Sequence, residues 1–137
     1  MVGADRIRQE VRERLDEQRT LVRSLLSLRE QLQGSVFARY ARCGKARCVC
    51  RANRLHGPYY VLSGTDRGRG FAYLERGRIG DARQLVRQAR AFKRGMRRLR
   101  VMNRELVRLL RRYQRTSARR GFARLEQRNV SGLKRSV

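Results

Sequence analysis

Apolar residues recur at helical spacing in two long stretches of this chain and alternate in the stretch between them. From Asp5 to Gln33 there is neither Gly nor Pro, and Val11, Gln18, Leu25 and Leu32 repeat every seven residues. Leu15 and Val22 flank that series on one side, Leu21 and Leu28 on the other. The spacing predicts an amphipathic helix over residues 1–34, stopped at Gly34. A second stretch carries Leu85, Phe92, Leu99, Leu106 and Tyr113 at the same interval, with Ala82, Ala89, Met96, Asn103 and Leu110 as a parallel series. Together they read as the a/d seam of a coiled-coil helix over 81–118. Asp81 is the expected N-cap, and Gly95 weakens the helix by about 1 kcal/mol relative to Ala.

Between the two helices the period changes. Ser35–Ala41, Pro58–Ser63 and Gly70–Glu75 read as strands, with residues 64–70 as a hairpin loop. The expected fold is therefore α+β. A long antiparallel two-helix coiled-coil hairpin (1–34 and 81–118) carries a small three-stranded antiparallel β knob (35–80), and residues 119–137 form a basic, flexible tail. Stepping both heptad series together sets Leu32 opposite Ala82, Leu25 opposite Ala89, Gln18 opposite Met96 and Val11 opposite Asn103. Gln18 and Asn103 are polar at seam positions. Either they fix the register at some expense of stability, or they are simply weak seam positions.

Charge narrows the function. The chain has 36 Lys plus Arg against 11 Asp plus Glu, a formal net charge of +25. Self-repulsion at that level is relieved by a polyanion. A compositional preference for Arg over Lys explains the choice of base, not the shortage of acids. No run approaches the roughly 20 apolar residues of a membrane span, and the N-terminal stretch lacks the apolar centre of a signal peptide. A cytoplasmic, nucleic-acid-associated protein with reduced thiols is expected, without a membrane partner. No nucleophile–base pair, phosphate loop or paired carboxylates can be named, so an enzyme is not expected.

All three cysteines and the single histidine lie within one short run, Cys43-x4-Cys48-x-Cys50-x5-His56. Three thiolates and one imidazole complete a tetrahedral zinc site of the structural type, tying the end of the first strand to the start of the second. Two alternatives stay open: reduced thiols beside an incidental histidine, and a redox switch favoured by the basic neighbours Lys45, Arg47 and Arg51. The run RCGKARCVC followed by HGPYYVLS resembles a family of small bacterial proteins of unassigned function. Their signature, CGK-x-x-C-x-C followed by HGPY(Y/W), lies between two helical arms. The match falls on Cys43, Gly44, Lys45, Cys48, Cys50, His56, Gly57, Pro58 and Tyr59. The resemblance implies the zinc knob and a neighbourhood of mobile elements, and little about activity.

The candidate nucleic-acid contacts are basic. In the second helix Arg83, Arg90, Arg97, Arg104 and Arg111 fall at heptad position b, and Arg87, Arg94, Arg108 and Arg115 at f, opposite the seam. Solvated coiled-coil exteriors mix signs; here Asp81 and Glu105 are the only acids from 81 to 120. The knob adds Arg39, Arg42, Lys45, Arg47, Arg51 and Arg54 around the metal, and Arg67 and Arg69 at the hairpin tip. Tyr60, Phe71 and Tyr73 are expected in the small sheet core, and Tyr59 is the ring placed to stack on a base. Nothing points to base-specific reading, so shape and backbone recognition of DNA or RNA is expected. The second function class is an adaptor that docks a larger nucleic-acid enzyme through its coiled coil and knob, and a homodimer would also cover the off-seam apolar residues Val101, Val107 and Leu109.

Overall fold

The computed structural model describes residues 2–52, 54–65 and 68–133, without the side chains of 2, 65, 68–71 and 129–133. In chain order it contains helix α1 (Val2–Leu26), strands β1 (Ser35–Ala41), β2 (His56–Thr65) and β3 (Gly68–Leu74), and helix α2 (Ile79–Leu133). Short 3-10 turns lie at Val49–Ala52 and Arg76–Arg78. The fold is α+β, as the change of period predicted. The chain divides into two compact units, Leu26–Arg94 and Met1–Leu25 with Gly95–Val137.

In the first unit the strands form an antiparallel sheet in the order β1-β2-β3. Phe37, Val61 and Tyr73 stand in one cross-strand row, and Arg39 pairs with Tyr59 beside it. Because side chains alternate, these residues share a face, and Ala38, Tyr60, Leu62 and Leu74 share the other. Val61 and Leu62, neighbours on opposite faces, are both buried. The guanidinium of Arg83 sits 5.5 Å from the centre of the Tyr60 ring, which sets the start of α2 on the Tyr60 face. Ala82, Val86 and Ala89 in the same stretch of α2 are buried.

Helix α1 ends at Leu26, short of the expected Gly34. The residues that follow form a strap without regular secondary structure, and the Leu32 N–H donates to the Leu85 carbonyl at 3.2 Å. Leu32 thus lies opposite Leu85 rather than Ala82. Gly34 has a different role from helix stop: a Cβ there would sit 2.1 Å from the Ser63 carbonyl oxygen, so only glycine lets the strap meet β2. The hairpin is tighter than expected, since β2 runs to Thr65 and β3 begins at Gly68. Asp81 falls inside the first turn of α2 rather than before it, where its charge still complements the helix N-terminus.

In the second unit α1 and the later part of α2 run antiparallel. The inward stripe of α1 is Ala4, Ile7, Val11, Arg14, Gln18, Leu21 and Leu25, a clean three-four alternation. Leu15 and Val22, expected on the seam's flank, are exposed. Across the pair the Gln18 amide donates to the Asn103 side chain. Arg14 reaches Glu105 at 3.6 Å, and Arg112 reaches Glu10 at 3.7 Å. The Arg8 guanidinium donates to the Tyr113 hydroxyl at 2.7 and 3.1 Å. That hydrogen bond lowers the Tyr113 phenol below its ordinary pKa.

This register is one heptad away from the expected one. Both series step by seven, so periodicity alone fits either. The expected register set Gln18 against Met96 and Asn103 against Val11, leaving each amide on an apolar side chain. The observed register joins amide to amide at an exposed position, where water satisfies the same groups, so the pair selects this alignment only weakly. A second correction follows from helix pitch. Met102 is buried and Leu109 half-buried, while Asn103 and Leu110 are exposed. A helix with 3.6 residues per turn drifts by about 20° per heptad against a strict seven-residue repeat. Finally, α2 does not stop at 118. No proline interrupts it, and it runs to Leu133, so the tail expected as flexible is helical that far; 134–137 lie outside the described residues. Among the described residues no helix is long and apolar enough to cross a membrane.

Gly95 explains itself in this packing. A Cβ at Gly95 would lie 2.4 Å from Leu25 Cδ2, and Leu25 is buried. Gly95→Val is expected to lower stability by about 1–3 kcal/mol through overpacking. At Gly121 a Cβ meets nothing within 4 Å, so Gly121→Ala is expected to raise helicity by up to about 1 kcal/mol of propensity. Thermal unfolding followed by circular dichroism checks both. A Gly95→Val variant as stable as wild type would show that Leu25 does not need the gap.

Candidate functional site

The β1–β2 ladder closes on a cluster of four donor atoms. Ala41, the last residue of β1, pairs with His56, the first of β2. Between them the chain turns twice. The Cys48 N–H donates to the Lys45 carbonyl at 3.4 Å, and the Arg51 N–H to the Cys48 carbonyl at 3.2 Å. The 3-10 turn at Val49–Ala52 carries Cys50 inward, where it is fully buried. Gly57 adopts φ +138, and a Cβ there would lie 2.8 Å from the Arg39 carbonyl oxygen and 3.0 Å from the Tyr40 ring. Glycine after His56 is thus what lets β2 approach the end of β1 closely enough to present the imidazole to the thiols.

The donor atoms of Cys43, Cys48, Cys50 and His56 all lie within 4.8 Å of one another and could hold a metal ion. Cys43 Sγ and Cys50 Sγ are 3.6 Å apart, and Cys48 Sγ is 3.0 Å from His56 Nε2. The cysteines are free. The Cys48 thiol is lowered from its ordinary 9.0 to about 6. The backbone N–H of Cys50 contributes most, followed by the Cys43 thiol, with the His56 imidazole adding to it. Cys43 moves the other way. The Lys45 backbone N–H pulls its pKa down but is outweighed by hydrogen bonding to Cys48 and Cys50 and by burial. The cluster therefore contains one thiol that ionises near neutral pH, the species that binds metals and reacts with electrophiles.

The basic residues anticipated from sequence are distributed as follows. Arg39 is exposed on the sheet face beside Tyr59. Arg42, Lys45, Arg47, Arg51 and Arg54 are exposed in the loop that carries the cysteines. Arg67 lies outside the described residues, as does the side chain of Arg69 on β3. On α2, Arg83, Arg87, Arg90 and Arg94 are exposed in the sheet-bearing unit, and Arg97, Arg104, Arg108, Arg111 and Arg115 in the helical one. Among the described residues none of these nine is ion-paired; Arg83 instead covers the Tyr60 ring. Tyr60 is half-buried as expected of a core ring, but Tyr73 is not in the core: it is 66% exposed, and Tyr59 45%. The side chain of Phe71 lies outside the described residues. Sequence reasoning also passed over Phe37, which lies in the same row as Val61 and Tyr73; the alternation in SVFARYA carried that signal, but only the strand register revealed its neighbours.

The chain belongs to the family described as Domain of unknown function (DUF6788), whose model matches residues 6–76, just over half of the chain. The match takes in most of α1, the strap, the cysteine cluster and the sheet, and ends before α2. No curated protein and no solved structure matches the chain.

The acid–base asymmetry of the cluster gives a measurable pH dependence in the chelator-treated protein. A thiol whose folded pKa lies below its unfolded value stabilises the fold fully above pH 9 and ceases to do so as pH falls through about 6. The difference in thermal midpoint between metal-free wild type and Cys48→Ser is expected to shrink steadily between those limits. A difference that does not change with pH would exclude a depressed Cys48.

Proposed function

We propose that this member of the DUF6788 family is a non-enzymatic nucleic-acid-binding protein, gripping the phosphate backbone with α2 and using a zinc-stapled knob as a second contact. The observation that carries this reading is the unneutralised arginine series of α2. Nine exposed arginines without ion pairs stand on a helix whose carboxylates from 81 to 120 are only Asp81 and Glu105, and of these Glu105 is already taken by Arg14. A solvated helix surface normally balances its charges in i,i+4 pairs. α1 does so, with Arg6–Glu10, Arg8–Asp5, Arg14–Glu17 and Arg19–Asp16. The contrast between two helices of one chain supports a polyanionic partner better than composition does. The reading extends to a cytoplasmic accessory role in a nucleoprotein complex, of the kind mobile elements use.

Zinc fits the cluster. Three thiol sulfurs and one imidazole nitrogen gathered within 4.8 Å are the donor set of a structural zinc site. Cys43, Cys48, Cys50 and His56 would fill all four positions of the ion, leaving none for a substrate, so that it would contribute to folding. The second reading is an adaptor that docks a larger enzyme. Phe122 and Leu125, more than 60% exposed near the end of α2, are the observation in its favour.

Three measurements test these statements. Arg90, Arg94, Arg97 and Arg104 replaced together by Gln should abolish measurable duplex binding at physiological salt. The slope of log K against log salt should also fall by up to about 3–4, since each lost phosphate contact removes about 0.9. Binding that survives with an unchanged slope would refute the helix as the phosphate contact. His56→Ala should reduce bound zinc well below one ion per chain, measured by mass spectrometry under native conditions; full occupancy would remove His56 from the ligand set. Affinity purification with and without nuclease separates the two function classes. A protein partner that survives nuclease and high salt would favour the adaptor.

A further inference from the structure

The two faces of the sheet are not alike. The Tyr60 face carries the start of α2. On the other, Val61 is completely buried; its cross-strand neighbours are Phe37 on β1 and Tyr73 on β3, and Tyr59 stands two residues along β2. These three rings are 39%, 66% and 45% exposed. Tyr59 and Tyr73 meet edge to face, their centres 6.4 Å apart and their planes at 86°. Such a pair is held in place by its own geometry while one side of it faces water. Arg39 is exposed directly across the ladder from Tyr59. Arg42, Lys45 and Arg47 follow in the loop beyond β1, all exposed. The one carboxylate that continues this row, Glu75, falls just past the end of β3.

We infer that this face is a stacking platform for unpaired bases, so that the preferred nucleic acid is single-stranded, with Tyr59 and Tyr73 against the bases and Arg39 on a backbone phosphate. The inference rests on the nucleic-acid reading above and adds to it the class of strand. Aromatic faces gain little from a duplex, whose base faces are already stacked, whereas a single strand offers a free π-face at every nucleotide. The surrounding charge is of the sign that holds the strand's backbone near the rings. Exposed rings flanked by cationic side chains suit planar bases on a phosphate backbone better than an apolar peptide.

The chain contains no tryptophan, so Tyr73→Trp installs a single emission reporter on the platform. In the zinc-loaded full chain, oligothymidylate should quench that emission, and an abasic strand of the same length should not. Wild type should bind oligothymidylate at least about fivefold more tightly than the abasic strand. Tyr59→Ala with Tyr73→Ala should abolish that preference while leaving abasic affinity unchanged, and Tyr59→Phe with Tyr73→Phe should keep it. Equal affinity of wild type for the two strands, or a preference that survives loss of both rings with the circular dichroism spectrum intact, would overturn the platform and leave the phosphate reading standing. Failure to bind any strand, duplex or abasic polymer would overturn both.

Discussion

The four donors at the end of the β1–β2 ladder stand where a larger sheet would have its core. Among the described residues, Cys50 and Val61 are the only side chains of any size that are fully buried. A three-stranded sheet is close to the lower limit of independent stability, and β1 and β3 are both edges. Cys50 is thus a core residue and a candidate ligand at once. The positive-φ glycine after His56 and the 3-10 turn that buries Cys50 both help to bring these groups together. In a chain with so thin a core, an ion on the cluster would convert binding energy directly into folding energy. The sheet and the site are then one thing rather than a scaffold and its attachment.

How much of this could be read in the sequence depended on whether local pattern or tertiary contact decided the question. The strand Ser35–Ala41, the existence of both helices and the grouping of Cys43, Cys48, Cys50 and His56 followed from spacing alone, because each is a local property. The end of α1 did not. Nothing in LLSLREQLQG forbids a helix; the strap forms because the Leu32 N–H finds the Leu85 carbonyl and Gly34 finds β2. The helix register was undecidable from a seven-residue repeat, which is invariant to a seven-residue shift. Yet the sequence held a clue that periodicity does not weigh: Gln18 and Asn103, both polar at expected seam positions, pair with each other. Tyr73 was misjudged for a similar reason. Alternation shows which residues share a face, but not whether an element covers that face.

Charge is segregated along the chain in a way that total composition hides. The acids of α1 are largely occupied, four of them by its own arginines and Glu10 also by Arg112 across the pair. Arg14, at an inward position, is shared between Glu17 and Glu105, and these carboxylates raise its pKa further above the ordinary arginine value, Glu17 most. α1 therefore neutralises itself and lends a little charge to its neighbour. The surplus that remains lies on α2 and on the cysteine loop. Repulsion between neighbouring guanidinium groups on α2 works against the helix, and exposed ion pairs on α1 return little stability. An arrangement that accepts this opposition makes physical sense when the opposing charges arrive with a partner.

The two contacts proposed for that partner answer different questions. Arginines on phosphate give affinity that falls steeply with salt and is indifferent to whether bases are paired. Rings on bases give a smaller contribution that salt barely touches and that vanishes when the bases are stacked in a duplex. A protein holding both would bind any nucleic acid at low ionic strength and discriminate between strands only as salt rises and the electrostatic share shrinks. Discrimination of that kind needs a platform whose rings are fixed before the strand arrives, since ordering them on binding would consume part of a modest gain. The edge-to-face pairing of Tyr59 with Tyr73 above a buried Val61 supplies that fixation, and the cluster that closes β1 against β2 keeps Arg39 beside them.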